Sequence, residues 1–488
     1  WFISMEKNSL RNKAIKAIND TNFYPKKGKD RLLSMIEGRP DWCVSRQRVW
    51  GVPLPIFINK KTNEPLRDQK VIDRIAKIYE KEGSDCWFTD NAEKFLGEDY
   101  NHKDYEKLND IVEVWFDSGS THSFVLEKRE DLKWPADMYL EGSDQHRGWF
   151  HSSLLESCGT RGSAPFKSIL SHGFVVDGKG LKMSKSSGNV ISPDDILKNY
   201  GADILRAWVA SSDYAEDLRI DKNILAQHAE SYRKIRNTFR FILGNIKDNF
   251  QEEKFSSLDI KKFDELEQYI LHKVFTLDSL VKENLINYNF HKLYKELLNF
   301  CALDLSSFYF DIRKDTLYCD SINSKKRKDC IKVLNIILEC LLKWFAPIFV
   351  FTTDEIYSLV SKDKKNIHEY TFPKIPESWK NNILDEKWKE LFKMKEVANI
   401  AIEEKRASKE IGSSLEADLK ITADSKKLHI LKDIDLAEYF ITSKAEKIES
   451  KNKDELSIKV IKSKGVKCPR CWKVLEKNCD RCEKATNA

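Results

Sequence analysis

The chain has 488 residues, of which 41% are hydrophobic and 33% are charged. Its 83 Lys and Arg and 77 Asp and Glu give a formal net charge of +6, a surplus too small to identify a nucleic-acid-binding protein. Glycine (18) and proline (12) are scarce, which excludes collagen-like and low-complexity classes, and the length favours about three domains. Polar residues at helical spacing interrupt the longest apolar stretch, residues 331–351, so we predict a core helix there and no membrane span.

In the first 180 residues, short apolar runs alternate with polar helical stretches. Strand signals occur at residues 53–58, 112–116, 138–140 and 174–176. Strands separated by helices predict a parallel sheet, as in Rossmann-like α/β nucleotide-binding domains.

The strand signal at 138–140 stops at a polar segment that begins with Glu141. Ligands of open α/β sheets bind where strands end and helices begin. We expect Ser143 to cap a helix that begins near Asp144. Glu141 can accept a hydrogen bond from a substrate ammonium group, and Asp144 and Gln145 can hold ribose hydroxyls or the amino group.

Two tryptophans and a histidine accompany this predicted strand end. Trp149 is either the wall of an apolar side-chain pocket, together with Trp115, or a core residue, and the sequence gives equal weight to both. His172 either approaches a base or is a structural histidine.

A lysine-containing segment follows the turn pair Asp177-Gly178. It consists of Lys182, Met183, Ser184, Lys185 and Ser186. Two ammonium groups on an exposed loop suit a polyphosphate, because they can neutralise charge that develops on a leaving pyrophosphate. The alternative is an ordinary solvated loop.

A helix is predicted after this segment. Ser192 is its expected N-cap and Pro193 its first residue, with Asp195 as the acidic partner of a capping box. From about residue 222, apolar residues recur at spacings of three and four, which predicts a bundle of long helices.

Basic residues on the first bundle helix are suited to phosphate contacts, although some charges of this kind only solvate a helix. They are Arg233, Lys234, Arg236 and Arg240. Residues 386–466 are rich in Lys and Glu, and one further helical stretch lies near residues 388–405.

The last 21 residues hold four cysteines in the spacing C-x2-C-x7-C-x2-C: Cys468, Cys471, Cys479 and Cys482. Two tight turns that each present two thiolates predict a tetrahedral zinc site. The site should be structural, because the protein supplies all four ligands. The other seven cysteines are dispersed, which indicates a reducing compartment.

Taken together, these motifs resemble the class I aminoacyl-tRNA synthetases. Residues 182–186 match the family's KMSKS signature. Residues 44–53 (VSRQRVWGVP), 117–120 (DSGS) and 139–150 (YLEGSDQHRGWF) are similar to segments of its branched-chain subgroup. Residues 231–238 resemble the first helix of the subgroup's anticodon-binding bundle. The cysteine tail favours the bacterial-type isoleucyl enzymes over the valyl and leucyl ones.

The resemblance implies an isoleucine–tRNA ligase that activates L-isoleucine with ATP and Mg²⁺ and transfers it to the 3′ end of the isoleucine tRNA. It further implies a cytoplasmic monomer with one structural Zn²⁺ ion. Lys182 and Lys185 would be catalytic, and residues 182–186 with His172 would bind ATP. The implied substrate-binding residues are Glu141, Gly142, Asp144, Gln145, Trp115 and Trp149.

The resemblance also predicts the domain order. It consists of the second half of the Rossmann-like catalytic domain (1–180), the KMSKS loop and stem-contact region (181–221), the helical anticodon-binding domain (222–385), a junction region (386–466) and a zinc-binding module (467–488). The family's His-x-Gly-His signature does not occur in the 488 residues, and no editing insertion is recognisable. We therefore expect a carboxy-terminal portion that does not activate isoleucine alone.

Two alternatives to the interpretation as an isoleucine–tRNA ligase remain open. One is a valyl- or leucyl-tRNA synthetase, which catalyses the same reaction with another apolar amino acid. The other is a non-catalytic tRNA-binding zinc protein.

Overall fold

The computed structural model describes residues 1–246, 250, 254–361, 365–452 and 455–486. The chain forms two compact units, residues 1–176 with 214–218, and residues 177–213 with 219–488. Within the described ranges, no helix combines the length and the apolar character needed to cross a bilayer.

The first unit has a three-stranded parallel sheet with covering helices and three antiparallel strand pairs. Its strands are β1 (Phe2–Ile3), β2 (Asn22–Tyr24), β3 (Trp42–Cys43), β4 (Ser45–Arg46), β5 (Phe57–Asn59), β6 (Tyr105–Lys107), β7 (Ile111–Val112), β8 (Tyr139–Gly142) and β9 (Ser168–His172). The antiparallel pairs are β1-β3, β4-β7 and β5-β6. Its helices are α1 (Leu10–Asp20), α2 (Lys27–Glu37), α3 (Gln69–Glu82), α4 (Cys86–Thr89), α5 (Ala92–Leu96), α6 (Val114–Gly119) and α7 (Trp149–Thr160).

The central sheet of this unit has the order β2-β9-β8 with every pair parallel, which confirms the predicted parallel sheet. The first four residues of β9 are buried, as expected for a strand that is covered on both faces. Helices α1, α2 and α7 supply the surrounding apolar side chains, among them Ile18, Leu32 and Leu154. A separate small core forms around Trp87.

The strand predicted at residues 112–116 is wrong beyond its first residue. Strand β7 ends at Val112, and helix α6 begins at Val114. The carbonyl of Glu113 accepts hydrogen bonds from the N–H groups of Phe116 and Asp117, which starts the helix. Val114 is 68% exposed, so the apolar alternation did not mark a buried strand face.

Helix α7 buries a carboxyl group in the first unit. Glu156 is 8% exposed, and its Oε1 lacks a hydrogen-bond partner among the described residues. A Cβ added at Gly119 would lie 2.2 Å from this oxygen, so only glycine fits beside it. Burial, reinforced by the nearby charge of Asp117, raises the pKa of Glu156 to about 9. The carboxyl group is therefore protonated at neutral pH.

We predict that Glu156→Gln removes a pH dependence of stability. The pKa of Glu156 is higher in the folded state than its ordinary value of 4.5, so the folded state retains a proton that the unfolded chain releases. The contribution of Glu156 to the stability of the folded state is therefore fully present below about pH 4.5 and decreases as pH rises towards 9, by up to about 1.4 kcal/mol per pH unit. The amide variant lacks this slope.

Urea unfolding between pH 6 and pH 8, followed by hydrogen-exchange mass spectrometry of peptides from α7, measures the effect. Glu37→Gln, at an exposed position, is the matched control. Parallel pH profiles for wild type and Glu156→Gln would contradict the assignment of a neutral Glu156.

The second unit contains a helical bundle, a small sheet and a cysteine module. The strands β10 (Val175–Asp177) and β11 (Leu218–Ile220) lie where the chain passes between the units. The helices are α8 (Pro193–Tyr200), α9 (Ala202–Ser211), α10 (Lys222–Ile246), α11 (Glu265–Ile286), α12 (Phe290–Asn299), α13 (Phe310–Cys319), α14 (Lys325–Phe345), α15 (Val350–Val360), α16 (Asn382–Ala407), α17 (Ser425–Ile430), α18 (Leu436–Tyr439) and α19 (Asp480–Thr486). The remaining strands are β12 (Ala417–Ala423), β13 (Lys444–Glu449), β14 (Leu456–Lys462), β15 (Val466–Lys467) and β16 (Val474–Leu475).

Helices α10, α11, α14 and α16 confirm the predicted helical stretches, and a π-helical segment, Phe300–Tyr309, joins α12 to α13. Ser192 caps α8 and Pro193 is its first residue, as predicted. The predicted capping box is wrong, because the Ser192 hydroxyl accepts from the N–H of Asp194 and the side chain of Asp195 takes no part in the cap.

The sheet of the second unit was not predicted. Its order is β13-β12-β14, with β12 parallel to β13 and antiparallel to β14. Alternate residues of β12 are buried, from Ala417 to Ala423, and Ala417, Leu419 and Ile421 join the same hydrophobic core as the bundle helices. Part of the Lys- and Glu-rich composition of residues 386–466 comes from side chains on the exposed face of this sheet.

A buried ion network joins the bundle to the segment between β12 and β13. The Arg313 guanidinium, which is 2% exposed, donates to Glu267 Oε1 at 2.6 Å and Oε2 at 2.5 Å, and to Glu438 Oε1 at 2.8 Å. Glu438 also accepts from Thr316 and Lys326. Burial opposes ionisation of Glu438, but the charges of Arg313 and Lys326 outweigh it and lower its pKa.

Candidate functional site

Polar groups gather at the carboxyl end of the parallel sheet. Gly142, the last residue of β8, lies beside His172, the last residue of β9. The exposed Glu141 accepts a hydrogen bond from the N–H of Gly142 at 2.9 Å. A Cβ added at Gly142 would lie 2.6 Å from Asp144 Oδ1, so a side chain at position 142 would displace this carboxylate. The structure thus brings Glu141, Asp144 and His172 together.

His172 has one ring nitrogen engaged, since its Nδ1 lies 2.8 Å from the carbonyl oxygen of Gly173. A hydrogen bond between these atoms requires a proton on Nδ1, and in the neutral ring with this proton Nε2 is the acceptor. The ring is half-buried. This tautomer suits a ligand that donates a hydrogen bond.

The prediction that Ser143 caps a helix near Asp144 is wrong. Residues 143–147 form a 3-10 turn, and α7 begins only at Trp149. The N-cap residue is Gly148, and Gln145 supplies the side-chain acceptor for the first helical N–H: its Oε1 accepts from Trp149 at 2.8 Å, while its Nε2 donates to Asp144 Oδ2 at 3.0 Å. The Gln145 amide therefore positions both Trp149 and the Asp144 carboxylate.

The two predicted tryptophans lie close to the same glycine. Trp149 stacks on Tyr139 with ring centroids 4.0 Å apart, and its Nε1 donates to the carbonyl of Ser118 at 3.1 Å. Trp115 is 39% exposed, and a Cβ added at Gly148 would lie 2.8 Å from its ring. Trp149 is thus anchored in the core, whereas Trp115 offers an apolar surface to solvent.

Residues 181–190 form what we call the lysine loop. Lys182, Lys185 and Ser186 are exposed, and Met183 and Ser184 are half-buried. The Ser184 hydroxyl contacts the Ser186 hydroxyl at 3.1 Å and donates to that of Ser187 at 2.7 Å. Both ammonium groups therefore point to solvent from a loop that hydrogen bonds organise.

Sequence reasoning missed two residues that hold this loop. Asn189 and Asp177 hydrogen-bond to each other at 2.9 Å and to the loop backbone. The turn signal at Asp177 was recognised, but no local pattern indicates that residue 189, twelve positions on, is its partner.

The predicted basic residues of α10 lie on one exposed stretch. Arg233, Lys234, Arg236 and Arg240 are all exposed. Arg233 forms an ion pair with Glu230 of the same helix. The stretch is thus available to an anionic partner.

The four carboxy-terminal cysteines come together as predicted. Their Sγ atoms all lie within 4.8 Å of one another, with 3.8 Å between Cys471 and Cys479. A tetrahedral zinc ion with Zn–S bonds of about 2.3 Å separates its sulfur ligands by about 3.8 Å. The donor set therefore fits a four-coordinate soft metal ion.

The cysteine module, residues 466–486, is fastened to helix α13. Arg481 donates two hydrogen bonds to the Asp315 carboxylate, at 2.6 and 2.8 Å. Arg470 donates to the carbonyls of Cys482 and Tyr318. The module thus has a docking site on the bundle that is independent of the metal ligands.

We predict that Gln145→Met weakens the start of α7. Methionine keeps the length of the side chain but removes the acceptor for the Trp149 N–H, and loss of a helix cap costs about 1 kcal/mol. Hydrogen exchange of the first-turn amides of α7 should accelerate about five-fold. Gln227→Met, an exposed substitution on α10, is the control. Unchanged exchange in Gln145→Met would rule out the capping role.

Two sequence profiles match the chain. The family described as "tRNA synthetases class I (I, L, M and V)" matches residues 1–221, and the "Anticodon-binding domain of tRNA ligase" matches residues 267–421. The first range holds the strand-end site and the lysine loop, and the second holds most of the bundle.

Curated relatives match nearly all of the chain. It is 66% identical over 481 residues to the isoleucine–tRNA ligase of Pelagibacter ubique, a match that covers 99% of this chain and 53% of the relative. It is 43% identical to the isoleucine–tRNA ligase of Zymomonas mobilis, with the same coverage of both chains. The chain thus spans about half the length of these relatives.

Two solved structures share the fold. One is the Agrobacterium radiobacter K84 leucyl-tRNA synthetase in a ternary complex with tRNA and LeuAMS, with a TM-score of 0.52 at 16% identity, covering 79% of this chain and 44% of that one. The other is the Mycobacterium tuberculosis methionyl-tRNA synthetase in complex with methionyl-adenylate, with a TM-score of 0.50 at 15% identity, covering 74% and 63%.

Proposed function

Since this chain belongs to the class I aminoacyl-tRNA synthetases, we propose that it functions in an isoleucine–tRNA ligase, as the part of the enzyme that these residues form. In the reaction, the carboxylate of isoleucine attacks the α-phosphate of ATP, which gives isoleucyl-adenylate and pyrophosphate. A hydroxyl at the 3′ end of the tRNA then takes the isoleucyl group, and AMP is released. The observation that carries the proposal is the high identity to the Pelagibacter ubique isoleucine–tRNA ligase along nearly the whole chain.

At the strand end, we propose that the Glu141 carboxylate binds the ammonium group of isoleucine and that Asp144 accepts hydrogen bonds from the adenylate ribose. Gln145 contributes by holding the Asp144 carboxylate in place. The main chain at Gly142 lies between these two carboxylates and allows a ligand to approach closely. His172, with Nε2 free to accept, is assigned to the adenine amino group.

The isoleucine side chain is assigned to the apolar surface formed by Trp115 and Trp149. The stack on Tyr139 fixes the Trp149 ring, so a pocket built on it is rigid. Rigid walls favour discrimination by size, although one methylene contributes only about 1–3 kcal/mol in the synthetases that serve as the standard example.

We propose that the lysine loop binds the ATP phosphates. Lys182 and Lys185 supply positive charge where negative charge develops on the leaving pyrophosphate, and Met183, Ser184 and Ser186 complete the loop surface. Mg²⁺ would arrive with ATP, because it binds mainly through substrate phosphates.

The bundle is assigned to the anticodon arm of the tRNA, with Arg233, Lys234, Arg236 and Arg240 at its phosphates. We assign one structural zinc ion to the cysteine module. All four ligands come from the protein, so the ion has no open position for catalysis and stabilises the module.

The function is tested by ATP–pyrophosphate exchange with isoleucine, valine and leucine in turn. Because the chain spans half of its relatives, the assay uses a reconstituted ligase, in which this chain is joined to the part of the Pelagibacter ubique enzyme that the match leaves uncovered. Exchange that depends on isoleucine supports the proposal. A preference for valine or leucine would favour the other synthetases, and tRNA binding without any exchange would favour a non-catalytic tRNA-binding protein.

We predict that Lys185→Ala in the reconstituted ligase lowers kcat for pyrophosphate exchange by about 10²–10³-fold, with little change in the KM for isoleucine. An ammonium group that meets phosphate as charge develops stabilises the transition state more than the ground state. Lys198→Ala, an exposed lysine on α8, is the matched control. A defect confined to KM would argue against the assigned role.

We predict one zinc ion per chain, lost on Cys468→Ser. Replacing one of four thiolates with a hydroxyl removes a strong zinc ligand. Metal analysis after chelator treatment and zinc dialysis gives the stoichiometry. Cys319→Ser is the matched control, because Cys319 packs against the same cluster without belonging to the four ligands. Full zinc content in Cys468→Ser would refute the ligand assignment.

A further inference from the structure

The lysine loop is held by one side-chain amide outside its five-residue motif. Asn189 Oδ1 accepts from the N–H of Ser184 at 2.9 Å, and its Nδ2 donates to Asp177 Oδ2 at 2.9 Å and to the Lys182 carbonyl at 3.2 Å. The orientation of the amide follows from these partners, since its oxygen faces a donor and its nitrogen faces two acceptors. Asn189 therefore ties the backbone at Lys182 and Ser184 to strand β10.

Asp177 is itself fully engaged at the base of the loop. Its Oδ1 accepts from the N–H groups of Lys179 at 3.0 Å and Leu181 at 2.8 Å, and its Oδ2 accepts from Asn189. The hydrogen bond from Asn189, followed by that from the Leu181 N–H, holds the pKa of Asp177 below its ordinary value. The carboxylate thus keeps its charge and its three donors at neutral pH.

Apolar packing does little to hold the loop. Leu181 is 60% exposed and Val190 is 49% exposed, and the side chains of Lys182, Lys185 and Ser187 face solvent. A segment with so little buried apolar surface keeps one conformation only if its polar bonds select it. The hydrogen bonds of Ser184 with Ser186 and Ser187 lie within the loop, whereas those of Asn189 and Asp177 tie the loop to the end of β10.

The turn at Gly178, which follows Asp177, packs closely against the start of α10. A Cβ added at Gly178 would lie 2.2 Å from Asp221 Oδ2, and Asp221 Oδ1 accepts from the N–H of Ile224 in the first turn of α10 at 2.7 Å. The turn at Gly178, next to Asp177, therefore packs against the capped N-terminus of α10.

We propose that Asn189 is a positioning residue, which together with Asp177 holds the lysine loop so that Lys182 and Lys185 present their ammonium groups to the ATP phosphates. This inference rests on the proposed function, because the lysines meet phosphate only in that reaction. Asn189 acts through the loop backbone and does not contact the phosphates itself. The two lysines make that contact.

Three variants test the proposal. Asn189→Asp has the same shape but replaces the donor Nδ2 by an oxygen, which faces Asp177 Oδ2 and the Lys182 carbonyl as acceptor against acceptor. In the double variant Asp177→Asn/Asn189→Asp, donor and acceptor change places. Every hydrogen bond of the pair is then kept except the one to the Lys182 carbonyl. Asn199→Asp is the control, since Asn199 donates to the backbone carbonyl of Asp195 on nearby α8.

The first readout needs no activity and uses the 488-residue chain. Hydrogen-exchange mass spectrometry follows a peptide that covers residues 181–190, whose Leu181 and Ser184 N–H groups are bonded to the pair. Exchange should accelerate about ten-fold in Asn189→Asp, return close to the wild-type rate in the double variant, and stay unchanged in Asn199→Asp. Wild-type exchange in Asn189→Asp would overturn the inference.

The second readout is pyrophosphate exchange by the reconstituted ligase. Asn189→Asp should lower kcat by about 10–100-fold with an unchanged KM for isoleucine, because the lysines are misplaced while the amino acid site is intact. The double variant should recover most of this loss. A normal kcat in Asn189→Asp overturns the inference. The same enzyme with Lys185→Ala separates the two proposals: if that variant is also fully active, the phosphate role of the loop fails with it, and if it is impaired, that role stands.

Discussion

The buried guanidinium of Arg313 is the interaction on which the carboxy-terminal part of the second unit depends. It pairs with Glu267 of α11 and Glu438 of α18, so one side chain on α13 connects the bundle to the segment that crosses between β12 and β13. Breaking such a buried pair typically costs about 3–5 kcal/mol, whereas an exposed ion pair contributes about 0–1 kcal/mol. The same helix supplies Asp315, which holds the cysteine module through Arg481. Three substructures therefore take their position from ten residues of α13.

The sequence was most informative where structure follows from local periodicity or from spacing. The long helices α10, α11 and α14 were predicted because each buries one apolar stripe, and the cysteine cluster because two tight turns imply four thiolates. The strand prediction at residues 112–116 was wrong because the local pattern is misleading there. Their alternation is that of a strand, but the carbonyl of Glu113 starts a helix whose Val114 and Trp115 are exposed. The sheet was missed because the exposed lysines of β13 and β14 obscure the buried alternate residues of β12.

At the candidate site, the sequence motifs could be recognised, but the side chains that hydrogen-bond to them could not. Glu141, Asp144 and the lysines belong to recognisable segments. Gln145 was assigned to substrate, yet its amide caps α7 and holds Asp144. Asn189 and Asp177 were not assigned to the site at all. Side chains of this kind act on main-chain groups that only the folded backbone brings near, so composition and spacing do not indicate them. Their hydrogen bonds fix the Asp144 carboxylate and the backbone of the lysine loop.

The separation along the chain of the partners of Arg313 sets an order of assembly during synthesis. Glu267 precedes Arg313 by 46 residues and Glu438 follows it by 125 residues. At about 5–20 residues per second, Glu438 leaves the ribosome roughly 6–25 s after Arg313. In that interval the guanidinium already has one carboxylate partner, so the bundle can close without a buried unpaired charge. Arg481, 166 residues after Asp315, arrives last. The docking partners of the cysteine module on α13 are therefore synthesised well before the module itself.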